Sequence, residues 1–97
     1  MKAVMFLYTM RDAEPRVITK VNEKLFGKIQ MSNHGRYAYE VKGILPEGTY
    51  VRPVRAVLIV KEEYRHKVTD LFNTYGVKFR VFEIKVGADI FENKEFF

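Results

Sequence analysis

Residues 56–76 read AVLIVKEEYRHKVTDLFNTYG, and the change of period inside this stretch sets the architecture. Val54 to Val60 is a nearly continuous apolar run, which fits a strand covered on both faces. From Tyr64 the spacing becomes helical. Tyr64, Val68, Leu71, Phe72 and Tyr75 stand at i, i+4, i+7, i+8 and i+11, one apolar stripe with Gly76 as its stop. Glu62 and Glu63 occupy the first turn, where the helix dipole favours anions, and Glu63 can pair with Lys67 four residues on. Val77 to Val86 then returns to strand character.

The N-terminal half repeats this plan. Lys2 to Thr9 is a short apolar segment of β character, and Pro15 fits the first position of a helix, where its missing N–H costs nothing. Val17, Ile18, Val21 and Leu25 give the helical stripe, and Gly27 ends it. A short strand over Lys28 to Met31 follows, then Ser32-Asn33-His34-Gly35 as turn chemistry. Arg36 to Ile44 alternates, with Tyr37, Tyr39 and Val41 on one face. Two strand–helix–glycine–strand halves, opening at Ala3-Val4 and at Ala56-Val57, predict an α+β domain of ferredoxin-like type. Its order is β-α-β-β-α-β with room for one extra strand, two helices on one face of a mainly antiparallel sheet, and the two opening strands side by side at the centre. The domain spans residues 1–86, and residues 87–97 form an aromatic tail docked on its own domain or on a partner subunit.

Alternation then divides the central strands between two faces. The helices are expected over Ala3, Met5 and Leu7 with Ala56, Leu58 and Val60, which leaves Val4, Phe6 and Tyr8 with Arg55, Val57 and Ile59 on the other side. A contiguous apolar surface of that kind is unusual on a monomer and calls for a cover: the tail, unstacked bases or a second copy of the chain. The stretch Arg55 to Val60 lacks the glycine and aromatics of the RNA-recognition pattern, and aliphatic side chains pack on one another better than they stack on bases. The expectation is therefore a homodimer through Val4, Phe6, Tyr8, Val57 and Ile59, with Phe91 and Phe96 of the tail contributing.

Ninety-seven residues suffice for one domain, and 17 basic against 12 acidic residues leave a net charge of +5. A polyanion is a natural partner for such a chain. Arg36, Tyr37, Lys42, Arg52, Arg55, Lys78 and Arg80 are the candidate nucleic-acid contacts, cations on and around the strands with tyrosines and phenylalanines interleaved. Chemistry is sparsely provided for. There is no cysteine, one serine and no glycine-rich phosphate loop, and the two histidines lie too far apart for a zinc motif. No metal or cofactor is expected, and the weak catalytic candidate is His34, in a turn beside Arg36. No apolar run is long enough for a membrane span, so the expected location is the cytoplasm. The functional expectation is a non-enzymatic nucleic-acid-binding or regulatory module. A structural or assembly protein, and a small ribonuclease using His34, are the alternatives.

Overall fold

The computed structural model describes residues 1–32 and 37–92, with backbone only at 30–32 and 37. Its elements in chain order are β1 (Lys2–Thr9), α1 (Pro15–Phe26), β2 (Lys28–Ser32), β3 (Tyr37–Val41), β4 (Tyr50–Val51), β5 (Val57–Lys61), α2 (Arg65–Thr74) and β6 (Lys78–Lys85). Single 3₁₀ turns precede α2 at Glu62–Tyr64 and follow β6 at Ala88–Phe91. The mixed α+β class read from the sequence is present. The main sheet has the order β4-β5-β1-β6 with every pair antiparallel, and β2 and β3 form a separate two-stranded ribbon. The opening strands of the two halves, β1 and β5, lie together at the centre.

The core lies between the helices and one face of this sheet. Val4, Phe6 and Tyr8 of β1 and Leu58 and Val60 of β5 are buried there against Val21 and Leu25 of α1 and Val68 and Phe72 of α2. Four rings meet at its centre: Phe72 lies 5.7 Å from Phe6 (edge to face), 5.0 Å from Tyr8 and 5.3 Å from Phe79. Each fully buried side chain of this size stabilises the fold by about 1.5–3 kcal/mol.

This corrects the expected facing of β1. Val4, Phe6 and Tyr8 are not on the open surface but beneath the helices, so they cannot form the interface expected of them. Ala3, Met5 and Leu7 take the open face instead, in line with Val57 and Ile59, whose facing agrees with expectation. Volume explains the choice. Both faces of β1 are apolar, and the helix side has a deep space that two aromatic rings fill and that alanine, methionine and leucine do not.

A glycine pair fixes how the β2–β3 ribbon leaves the domain. Gly27 ends α1 with φ 85°, and a Cβ there would collide with the Val41 carbonyl and come within 2.9 Å of the Gly43 nitrogen. A Cβ on Gly43 would in turn meet the Leu25 carbonyl. The chain therefore departs at Gly27 and returns at Gly43 in direct contact. The returning chain donates from Ile44 and Leu45 N–H to the Lys24 and Leu25 carbonyls, satisfying two groups the helix end leaves free. Beyond this clamp the ribbon projects, with Ile29 72% exposed.

The tail begins by folding back. After Gly87 the 3₁₀ turn places Phe91 on the open face, buried with Ala3, Val51 and Ile59, and Lys61 stands over its ring at 5.8 Å. Phe96 lies outside the described residues.

Candidate functional site

The side chains singled out from the sequence fall into separate places. Arg36 and His34 lie outside the described residues, and Tyr37 opens β3. Lys42 is exposed at the base of the ribbon. Arg52 follows the edge strand β4 and lies over the Phe26 ring, 4.5 Å from its centroid, while Phe26 itself packs against Tyr50 at 4.9 Å. That stack holds Arg52 on the helix side of the sheet. Arg55 sits in the tight turn that the Val57 N–H closes onto the Val54 carbonyl, with Ala56 at φ 71° in the left-handed region. Arg52 and Arg55 are thus divided between an edge stack and a turn.

Lys78 and Arg80 do come together. Residues paired across an antiparallel ladder share a face, so the register places Lys78 beside Thr9, Arg80 beside Leu7 and Phe82 beside Met5, all on the open side. The next strand adds Val57 opposite Leu7 and Ile59 opposite Met5. The same end of the sheet receives Arg55, because the Tyr8 N–H donates to the Ala56 carbonyl. A shallow concavity there is lined by Leu7, Tyr8, Thr9, Lys78, Phe79 and Arg80.

Phe91 divides the open face into two halves. The half over Ala3, Val51 and Ile59 is closed by the chain itself. The other half leaves Leu7 38% and Phe82 43% exposed, with Lys78 and Arg80 in the same row. Among the described residues neither cation takes part in an ion pair; the pairs present are Arg16–Glu14, Lys28–Glu23 and Arg65–Glu83, all at the surface. Phe82 was absent from the sequence expectation, and Leu7 was expected beneath the helices. The signal for Phe82 is the alternation Lys78, Arg80, Phe82 along β6, which the neighbouring Phe79 and Val81 conceal. Phe79, which looked like a stacking ring among the cations, is instead packed in the core 6.0 Å from Phe6.

Among the described residues no three His, Asp or Glu side chains gather as a metal cluster, and no helix is long and apolar enough to cross a membrane. His66 is exposed on α2. Among the described residues the arrangement sets two cations without an ion pair and one partly exposed ring on an apolar sheet face. The sequence matches no family model, and neither the curated proteins nor the solved structures provide a match.

Proposed function

We propose that this chain is a small, basic, non-enzymatic nucleic-acid-binding module that works as a homodimer on a ferredoxin-like framework. The framework is supported by strand directions: β1 and β4 run the same way with β5 between them, and β5 and β6 run the same way with β1 between them. Helices α1 and α2 make those two split crossovers, and the β2–β3 ribbon is an insertion in the first. The single observation that carries the functional reading is the open-face row Lys78, Arg80 and Phe82. Cations without protein partners answer phosphates, and a half-exposed ring beside them offers a stacking face to an unpaired base.

Fluorescence anisotropy of labelled mixed-sequence single strands, RNA and DNA, across a salt series tests this. Binding should weaken steeply with salt. The double substitution Lys78→Glu, Arg80→Glu should lower the log–log slope by about 1.4 for each protomer that contacts the strand, near 0.7 for each phosphate no longer neutralised. Phe82→Ala should cost about 1–3 kcal/mol with the slope unchanged. Absence of any salt-dependent binding would replace this reading by that of an assembly protein, for which the uncovered Leu7 and Phe82 would serve as a protein contact.

A further inference from the structure

The two edges of the main sheet differ in kind. On one side β4 has two residues and its chain runs into Pro53, a short edge of the sort that resists further pairing. On the other side β6 is eight residues long, pairs with β1 one for one from Lys2↔Lys85 to Thr9↔Lys78, and contains neither a bulge nor a proline. Among the described residues no strand pairs with its outer edge.

Which of its backbone groups point outward follows from the ladder. Met1 and Val86 exchange both hydrogen bonds, 2.8 and 2.9 Å, so they are a hydrogen-bonded pair. Such pairs alternate along an antiparallel ladder, so Ile84, Phe82, Arg80 and Lys78 direct their N–H and C=O groups to β1. Phe79, Val81, Glu83 and Lys85 therefore direct theirs away from the sheet. They form an unoccupied ladder as long as the strand.

We propose that β6 pairs antiparallel with β6 of a second copy of this chain, about a two-fold axis perpendicular to the sheet and midway between the two copies' Phe82 residues. This specifies the interface of the homodimer in the reading above and rests on it. A perpendicular two-fold keeps both helix layers on one side, so a residue can face only one of the same parity. In the register with Phe82 opposite Phe82 all four outward residues are used: Phe79 faces Lys85 and Val81 faces Glu83 on the helix side. On the open side Lys78 faces Val86 and Arg80 faces Ile84. The two Phe82 rings meet at the axis, an aromatic pair of the kind that stabilises a cross-strand ladder, and no like charges stand directly opposite. The product is one eight-stranded sheet in which the two Lys78–Arg80–Phe82 rows meet end to end at Phe82, lengthening the platform for a single strand.

Residue-resolved amide exchange on the full chain, together with its mass by light scattering, tests the pairing. The expected mass is twice the 11.5 kDa of the chain. The amides of Phe79, Val81, Glu83 and Lys85 should be protected as well as those of Arg80, Phe82 and Ile84. Glu83→Pro removes an outward N–H and leaves the β1 ladder whole, so it should give a folded monomer. Should that variant not fold, the exchange pattern of the unaltered chain decides alone. A monomer at all concentrations, or a dimer in which those four amides exchange freely, overturns the edge pairing. The nucleic-acid reading fails or stands separately by anisotropy, since a monomeric Glu83→Pro chain keeps its own Lys78, Arg80 and Phe82 and should still bind with the salt slope of one row.

Discussion

Replacing Phe6 by alanine removes a side chain with no exposed surface that touches Phe72 edge-on at 5.7 Å and Phe79 at 6.0 Å. Two contributions disappear with it. Truncating a buried phenylalanine costs about 3–5 kcal/mol through forfeited transfer energy and the cavity left behind. Aromatic pairs of this geometry add about 0.5–1.5 kcal/mol each beyond their area, part of which is already inside the first figure. A loss of about 4 kcal/mol is therefore expected, and at about 4–8 °C per kcal/mol for a domain of this size the melting temperature should fall by about 16–32 °C. The control is one residue away. Leu7 is on the opposite face and 38% exposed, so Leu7→Ala should cost about 1 kcal/mol or less. Urea and thermal unfolding followed by circular dichroism, with all variants at one protein concentration because dimer stability depends on it, give both numbers. A Phe6→Ala loss no greater than that of Leu7→Ala would refute the facing of β1 and with it the open-face row.

Gly43→Ala places a methyl group against the Leu25 carbonyl and the Gly27 nitrogen, backbone atoms that cannot swing aside. It should cost about 1–3 kcal/mol in a urea titration, the range of an overpacked site. Gly27→Ala adds the left-handed strain of φ 85° to a similar collision and should be at least as damaging. Truncation after Val86 uncovers Ala3, Val51 and Ile59 by removing Phe91, and a thermal melt should show a loss of about 2–4 kcal/mol. An unchanged melt would mean that the tail does not hold the open face.

The element order was legible because each element carries its own period and punctuation. Pro15 and Gly27 bound α1 and Gly76 follows α2, positions where backbone chemistry acts locally and needs no tertiary partner. The continuous run before Lys61 was read as a strand from Val54, but β5 starts at Val57 because residues 54–57 close a turn with Ala56 at positive φ. An alanine gives no sign of that conformation. Of the candidate nucleic-acid residues, Lys78 and Arg80 stand on one face by simple alternation. Arg52 and Arg55 are three apart in a segment with no regular period, and the Phe26 ring that captures Arg52 comes from a distant helix end.

Local chemistry along the chain was enough to give two helices, their ends, the pairing of the opening strands and the basic character of the surface. Three features depended on the assembled chain. In β1 both faces are apolar, so alternation is symmetric, and only the space beneath Phe72 selects Phe6 and Tyr8 for the interior. The β2–β3 ribbon stands apart because Gly27 and Gly43 meet at its base, an approach between residues sixteen positions apart that neither neighbourhood announces. Phe91 closes half the open face because the 3₁₀ turn brings it back over Ala3, leaving Phe82 uncovered. Each outcome rests on packing between distant segments, and packing volume is a property of the assembled chain that residue order does not display.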